Sequence, residues 1–568
     1  MKLNDWPLND KPSGRLPIYT RSNASEVLGA PLSPLGWTAV WRKAFEPGSI
    51  DGYIATGGFE EDEFLREVGE VYGAFGGYFY LNLSAMLILM DRLDGSAAQL
   101  ASAFDDHPDM PKYERQAWYV SPTATERLAA WKADILAGKT PDSLPILQAE
   151  SFAARKSRPD LSTLTDDELV GRIRDMQPPI WRGGEIHVIV GIAGLIAMGQ
   201  LQTALASIGR ANDLSRLCST GREIETADIA KTLWTISRLV RRTPALIQRL
   251  ERGFGDGLGE DIDHRFNELF GEFMSIHGSR GDNEWDLAGR TFETTPANAL
   301  TLIASMAKQA DEADPSQAQV RNAQNQQNAL AAIRAQVSDD KFTEIHNAIQ
   351  AVDIWFAARE RSKNTNIRFV HEVRMACEEL ASRAVRRGVL GKAEAFYMLL
   401  DSELEPFIAK PDAFASGLQD RLEVLREVAL REPPFIVNGA YATPESWPKR
   451  KAAKQTRAVV GEKLSGVGCS PGRIRGRARI ILDASDPGAL EPGDILVTRT
   501  SNPSWTPLFL VAGGVVTELG LFNSHASIVS RELGVPCVVS VVGATNRIPD
   551  GALIDLDGDT GAVEIVDV

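Results

Sequence analysis

Cysteine is scarce in this 568-residue chain and never paired in sequence: Cys218, Cys377, Cys469 and Cys537 stand far apart, with no CxxC spacing. That excludes a disulfide framework and gives no support to a thiolate zinc site, so reduced thiols and no metal centre are expected. A basic excess is also missing. Lys and Arg total 61 against 76 Asp and Glu, a formal net charge of -15 and the opposite of what a phosphate backbone attracts. Nucleic acid is therefore not an expected partner. The opening residues, MKLNDWPLNDKPSGR, contain no apolar run of signal-peptide type. The longest apolar stretches, near 186–201 and 507–517, fall short of the roughly 20 residues that span a bilayer. These absences predict a soluble, cytoplasmic protein with no membrane partner.

The length calls for two or three domains. Upstream of residue 440 the pattern is mostly helical, with apolar residues at three- and four-residue steps in 161–178, 226–253, 297–312 and 338–385. The first 60 residues differ: Pro17, Pro31 and Pro34 punctuate a segment expected to be irregular or short-stranded. Residues 309–337, rich in Gln and Asn, read as an exposed loop passing into helix. Across 440–463 two prolines and a basic run between Lys449 and Lys463 read as a solvated linker. After it, β-rich runs alternate with Gly, Pro and Asp turns at 477–482, 494–499, 514–518, 536–541 and 552–557, with one clear helix. The expected architecture is a mainly α-helical part over 1–440, a linker over 441–463 and a small α/β domain over 464–568.

The most informative stretch is 513–539, GGVVTELGLFNSHASIVSRELGVPCVV. A strand at 515–518 leads through a loop to Ser524, a plausible N-cap, and His525. Ile528, Val529 and Leu533 then share one side of a short helix that Gly534 and Pro536 stop. His525 is thus expected in a first helical turn, beside unpaired N–H groups and the positive end of the helix dipole. That position disfavours imidazolium, keeps the ring nucleophilic, and stabilises the oxygens of a phosphoryl group once it is attached. On spacing alone, a histidine after an N-cap is more often structural or merely exposed.

Two further constellations stand out. In His277-Gly278-Ser279-Arg280-Gly281-Asp282-Asn283-Glu284-Trp285-Asp286, either a Gly-rich turn aims His277 and Arg280 at a ligand, or a surface turn holds local ion pairs. Along 342–380, Phe342, Ile345, Ile349, Val352 and Phe356 mark a helical apolar stripe that continues to Arg359 and Lys363, then resumes at Val370, Val373, Cys377 and Leu380. Two cations one turn apart on a packed stripe need carboxylates or a bound anion. The remaining histidines, His187 and His264 among them, read as structural.

Residues 464–568 resemble the swivelling phosphohistidine domain of the phosphoenolpyruvate-utilising enzymes: phosphoenolpyruvate synthase, pyruvate phosphate dikinase and rifampin phosphotransferase. The resemblance rests on GVGCSPG at 466–472, GDILV at 493–497, NPSWTPLF at 502–509, SHASIV at 524–529, RELGVP at 531–536 and the closing DLDGDTGAV. It implies that His525 carries a phosphoryl group. Gly520-Leu521 and Asn523 stand where the family has a Gly-Gly pair and Thr.

Upstream, the HGSRGDNE segment resembles the HRGxxE-type motif of the rifampin phosphotransferase acceptor domain, implying substrate contacts by His277, Arg280 and Glu284. Arg359, Glu360 and Lys363 resemble that domain's R-E-x-x-K element, implying catalytic roles: two cations stabilising the travelling phosphoryl group, and Glu360 or His277 assisting acceptor deprotonation. Shorter matches lie at 23–34, 76–83 and 388–404. No Gly-rich nucleotide loop followed by Lys and carboxylates is visible, nor the βα repeats of a phosphoenolpyruvate barrel. The resemblance therefore points to split systems similar to phenylphosphate synthase. In such systems ATP and Mg²⁺ act through a separate ATP-grasp subunit, no cofactor is bound tightly here, and the acceptor is a phenol or hydroxyphenyl ketone. An antibiotic-modifying phosphotransferase half and a non-catalytic phosphocarrier are the alternatives.

Overall fold

The computed structural model describes residues 3, 6–22, 24–65, 70–102, 110–218, 225–251, 263–311, 314–449, 457–482, 490–501, 505–520, 522 and 524–568. The chain forms two compact units that alternate along the sequence. One comprises Met1–Ala197, Trp285–Gly289 and Ile354–Lys451; the other comprises Met198–Glu284, Arg290–Asp353 and Ala452–Val568. The structure is mainly helical, with an α/β region at its C-terminus.

The first unit is helical around an aromatic core. Its small antiparallel sheet runs Tyr72–Phe75, Tyr78–Asn82, Ile18–Thr20, Ile436–Asn438. Of the first 60 residues, expected to be irregular or short-stranded, the described part before residue 34 largely fits and the part from Gly36 to Ala55 is corrected to helix. After the three-residue strand Ile18–Thr20, the chain coils continuously through Gly36–Phe45, which is π-helical, into the α-helix Glu46–Ala55. Pro31 precedes this run, Pro34 stands at its very start, and Pro47 falls where the π-helical stretch passes into the first turn of Glu46–Ala55. Trp37, Trp41 and Phe45, four residues apart, form its buried face; Trp41 packs on Phe45, Tyr72, Phe79 and Trp285.

Helix α1, Gln177–Ala206, continues a helical run that starts at Asp166. The stretch read as too short for a bilayer belongs to this 41-residue run, which among the described residues is long and apolar enough to cross one. Within the protein 61% of its most apolar window is buried, as in a core helix.

In the second unit, helices α2 (Glu225–Arg242) and α3 (His264–His277) pack with Pro296–Ala307 around Ile229, Leu233, Phe266, Phe273, Phe292 and Ile303. The Gln/Asn-rich segment expected to begin as loop is helix over most of its length: α4, Pro315–Gln336, starts at once because the Asp314 side chain accepts the N–H of Ser316. Helix α5, Asp339–Arg386, is 48 residues long and contributes to both units.

The C-terminal region is an eight-stranded sheet: β1 Lys463–Ser465, β2 Val467–Ser470, β3 Arg473–Ile480, β4 Ile495–Thr498, β5 Gly514–Thr517, β6 Cys537–Val539, β7 Leu553–Asp557 and β8 Ala562–Asp567. Its order is β1-β8-β7-β3-β4-β5-β6-β2, with β3 to β6 parallel and the flanks antiparallel. Alternate residues feed two apolar layers. Ile495, Val497 and Val516 face one, while Leu496, Val515 and Val539 face the other with Phe509, Ala526 and Val529. Five strands match the β-rich runs of the sequence; β1, β2 and β8 were not foreseen. Besides the predicted helix, the region has Thr506–Val511 and Ala544–Arg547.

Candidate functional site

His525 opens helix α6, His525–Leu533, behind Ser524. The Ser524 hydroxyl accepts the Ser527 N–H at 3.3 Å, and Gly534, at φ 64°, ends the helix. Both devices are the ones the sequence spells. The His525 ring is half-buried. Its Nδ1 lies 3.0 Å from Ser501 Oγ, just past β4, and its ring meets Phe509 edge-on with centroids 6.0 Å apart. The approach to His525 is tied down from several sides. Arg531 donates to the carbonyls of Phe522 (2.7 Å) and Cys469 (3.2 Å). Glu518 accepts the Thr545 N–H at 2.8 Å, and Ser540 Oγ donates to the Gly520 carbonyl. Gly520 itself, at φ 151°, leaves no room for a Cβ, which would stand 2.9 Å from Val539. Leu521, Asn523 and residues 502–504 of the NPSWTPLF motif lie outside the described residues, as do 450–456 of the basic run.

Arg359, Glu360 and Lys363 lie in the first unit on α5, which stays packed where the cations interrupt its apolar stripe. Their side chains are 27%, 6% and 16% exposed. The carboxylate these cations require is Glu360: its Oε1 accepts from Arg359 Nη1 at 2.8 Å and its Oε2 stands 3.9 Å from Lys363 Nζ. The same cluster holds a residue that sequence reading set aside. His187, on α1, has Nδ1 3.4 Å from Ser362 Oγ, and its ring packs to one side of the Phe45–Trp285 pair, 5.9 Å from each ring, the two being 5.1 Å from one another. Burial first, then Arg359 and Lys363, push its pKa down to about 3. His187 is therefore neutral at physiological pH.

The placement of His187 follows from two helical glycines. At Gly183 a Cβ would come within 1.9 Å of Asn366, and at Gly184 within 2.4 Å of the Phe45 carbonyl. Asn366 donates to the Gly183 carbonyl at 3.1 Å. One turn further along α1 is His187, and one turn back along α5 is Ser362, so close helix contact brings them together. A Gly-Gly pair four residues before a histidine on a long helix was the available signal.

His277, Arg280 and Glu284 fall in the second unit. His277 ends α3 with Nε2 3.1 Å from Asp228 Oδ2, and this bond holds the Asp228 carboxyl below its usual range. Arg280 grips Glu284 at 2.8 and 3.1 Å, and Glu284 also accepts the Gly281 N–H at 3.2 Å. All three side chains are buried. Of the two readings of this segment, local ion pairing is what the geometry displays, although in the interior. Trp285 and Asp286 of the same segment belong to the first unit. There Asp286 accepts the Ser33 N–H at 2.7 Å and Trp285 packs against His187. The three groups of predicted site residues are thus found at His525, around Arg359 and around Arg280, the last two in different units. His264 is exposed at the first position of α3. Among the described residues no group of three or more His, Cys, Asp or Glu could hold a metal ion.

Residues 187–360 match the rifampicin phosphotransferase fourth domain, and residues 490–561 match the mobile domain of PEP-utilising enzymes. These matches and the relatives support a PEP-utilising, rifampicin phosphotransferase-like family. It is 25% identical to the prodigiosin synthesizing transferase PigC of Serratia marcescens, over 96% of this chain and 63% of that protein. An uncharacterized protein of Mycobacterium tuberculosis is 29% identical over 98% of this chain and 62% of its own length. A rifampicin phosphotransferase of Streptomyces sviceus is 32% identical over 40% of this chain and 25% of that enzyme. The chain therefore spans somewhat less than two thirds of the length of the first two.

Proposed function

We propose that this chain carries a phosphoryl group on His525 and delivers it to the hydroxyl of a small organic acceptor. The observation that carries the reading is the setting of His525: first turn of a capped helix, Nδ1 engaged by Ser501, within the segment that matches the mobile domain. With Nδ1–H donating to Ser501 Oγ, the lone pair is on Nε2, and we assign the P–N bond to that atom. Nε2 attacks phosphorus as the donor's P–O bond breaks. The α6 N-terminus then stabilises the phosphoryl oxygens. In the second step the acceptor oxygen forms its bond to phosphorus, the P–N pair returns to Nε2, and the hydroxyl proton leaves to solvent. Arg359 and Lys363 supply the positive field for the transferred group, with Glu360 orienting them. His277, Arg280 and Glu284 hold the shape of the acceptor part instead of touching the reacting atoms.

In this reading ATP and Mg²⁺ are the source of the phosphoryl group and act through an ATP-grasp subunit. The acceptor class is a phenolic or polyketide hydroxyl on a largely apolar body. A rifamycin-like acceptor is favoured over a simple phenol by the match at 187–360 and by the Streptomyces relative. The test charges the full chain with ³²P-phosphoramidate, which phosphorylates histidine chemically, using His525→Ala as control. Acid-labile label confined to His525, and its loss on adding rifampicin, phenol or 4-hydroxyacetophenone with formation of labelled product, is the expected result. Label on the control, or no acceptor-dependent transfer across the panel, overturns the proposal.

A further inference from the structure

A transfer to a hydroxyl needs a group that takes the hydroxyl's hydrogen bond while the oxygen turns its lone pair to phosphorus. The residues expected to do this are committed elsewhere. Both oxygens of Glu360 face cations, Arg359 at 2.8 Å and Lys363 at 3.9 Å. His277 is joined to Asp228 at 3.1 Å. From the geometry around α1 and α5 we infer that His187 is the residue that receives the acceptor's hydroxyl, beside the Arg359–Lys363 cations. This deepens the function proposed above and rests on its placing the acceptor at that segment.

Three observations lead to it. First, His187 is enclosed and yet keeps accessible surface, as do Arg359 and Lys363. Partial exposure of this kind leaves the three groups within reach of a ligand. Second, its position against the Phe45–Trp285 pair would be filled at lower cost by a hydrocarbon ring, since burying imidazole nitrogens costs free energy unless they are bonded. Ser362 addresses only Nδ1, at a long 3.4 Å. Third, burial first and then the neighbouring cations keep the ring neutral, so one ring nitrogen always offers a lone pair. A neutral acceptor of hydrogen bonds beside two cations discriminates within one site: the hydroxyl goes to His187 and the phosphoryl oxygens go to Arg359 and Lys363. The adjoining rings of Phe45 and Trp285 suit an acceptor with an apolar, aromatic body.

The experiment compares His187→Phe, which keeps the ring packing, with His187→Gln, which keeps a hydrogen-bond acceptor, in the full chain charged by ³²P-phosphoramidate. Discharge to rifampicin, phenol and 4-hydroxyacetophenone is followed as a rate against acceptor concentration. The rate at saturating acceptor is expected to fall at least about tenfold in His187→Phe, with partial recovery in His187→Gln, as for loss of one hydrogen bond made in the transition state. Phospho-His525 is quantified in the same samples. If His187→Phe discharges as fast as wild type, or if His187→Gln is worse than His187→Phe, His187 only packs and the inference falls. If the wild-type chain itself discharges to none of the acceptors, the proposed function fails instead, so the two failures are told apart.

Discussion

The side-chain amide of Asn366 donates to the carbonyl of Gly183 at 3.1 Å, and to that of Ser362, four residues back on its own helix, at 3.0 Å. Because Gly183 lacks a Cβ, α1 and α5 approach closely enough for this bond, and the pair sets the distance at which His187 meets Ser362. Alanine normally stabilises a helix by about 1 kcal/mol over glycine. At position 183 its Cβ would stand 1.9 Å from Asn366 Oδ1. Overpacking of this kind costs about 1–3 kcal/mol, so Gly183→Ala is expected to lower the urea midpoint. Tryptophan fluorescence reads it, since Trp37, Trp41 and Trp285 lie in the same unit. A raised midpoint would show that the helices are not held this closely.

Arg280 and Glu284 form an enclosed ion pair, so removing one partner leaves a buried charge. Arg280→Met or Glu284→Gln alone is expected to cost about 3–5 kcal/mol, and the double change Arg280→Met/Glu284→Leu distinctly less. A double-mutant cycle by chemical denaturation measures the coupling. Near-additive small losses, together with a raised acceptor concentration for half-maximal discharge, would instead assign the pair to ligand binding.

Much of this organisation is legible in sequence, and the reasons differ by element. The helices of both units follow from three- and four-residue apolar steps, and α6 from Ser524, Gly534 and Pro536, because those signals are local. The Gly36–Phe45 coil was hidden by prolines that flank it, although Trp37, Trp41 and Phe45 already spell one face. The placing of Arg359 and Lys363 on a packed stripe was readable from the apolar steps that resume at Val370. Their shared carboxylate, Glu360, was also in view. His187 was not, because its neighbour Ser362 lies 175 positions away and only the tertiary contact at Gly183 and Gly184 joins them. Around Arg280 the sequence places His277, Arg280 and Glu284 together, as the fold does, but not the boundary after Glu284, beyond which Trp285 and Asp286 belong to the other unit.

Ser501 offers a narrower test of the carrier site. Its Oγ lies 3.0 Å from His525 Nδ1, and where it accepts the Nδ1–H the lone pair is left on Nε2. One neutral hydrogen bond contributes about 0.5–1.5 kcal/mol, so Ser501→Ala is expected to slow His525 phosphorylation roughly three- to tenfold. Ser501→Thr, which keeps the hydroxyl, restores most of it. Phosphoramidate labelling at several pH values reads the rate, and ¹⁵N chemical shifts of the His525 ring report the tautomer. Equal rates in wild type and Ser501→Ala would remove Ser501 from the site.

His187 also leaves a signature in stability that needs no substrate. Its pKa falls from 6.5 in the unfolded chain to about 3 in the folded one, through burial and the cations Arg359 and Lys363, with Glu360 opposing them. Between those values the unfolded chain binds the extra proton, so stability is intact above pH 6.5 and is lost progressively as pH falls toward 3. Glu46 and Glu532 act with the other sign. Burial raises each to about 7, so each lowers stability as pH rises from its ordinary value of 4.5. These terms are common to wild type and His187→Phe and cancel in their difference. Urea midpoints of the two proteins, measured from pH 7.5 down to pH 4.5, should therefore diverge below pH 6.5, with the wild type losing more. Parallel curves would mean that His187 is hydrated in the folded protein, and with that the neutral hydrogen-bond acceptor beside Arg359 and Lys363 would be lost as well.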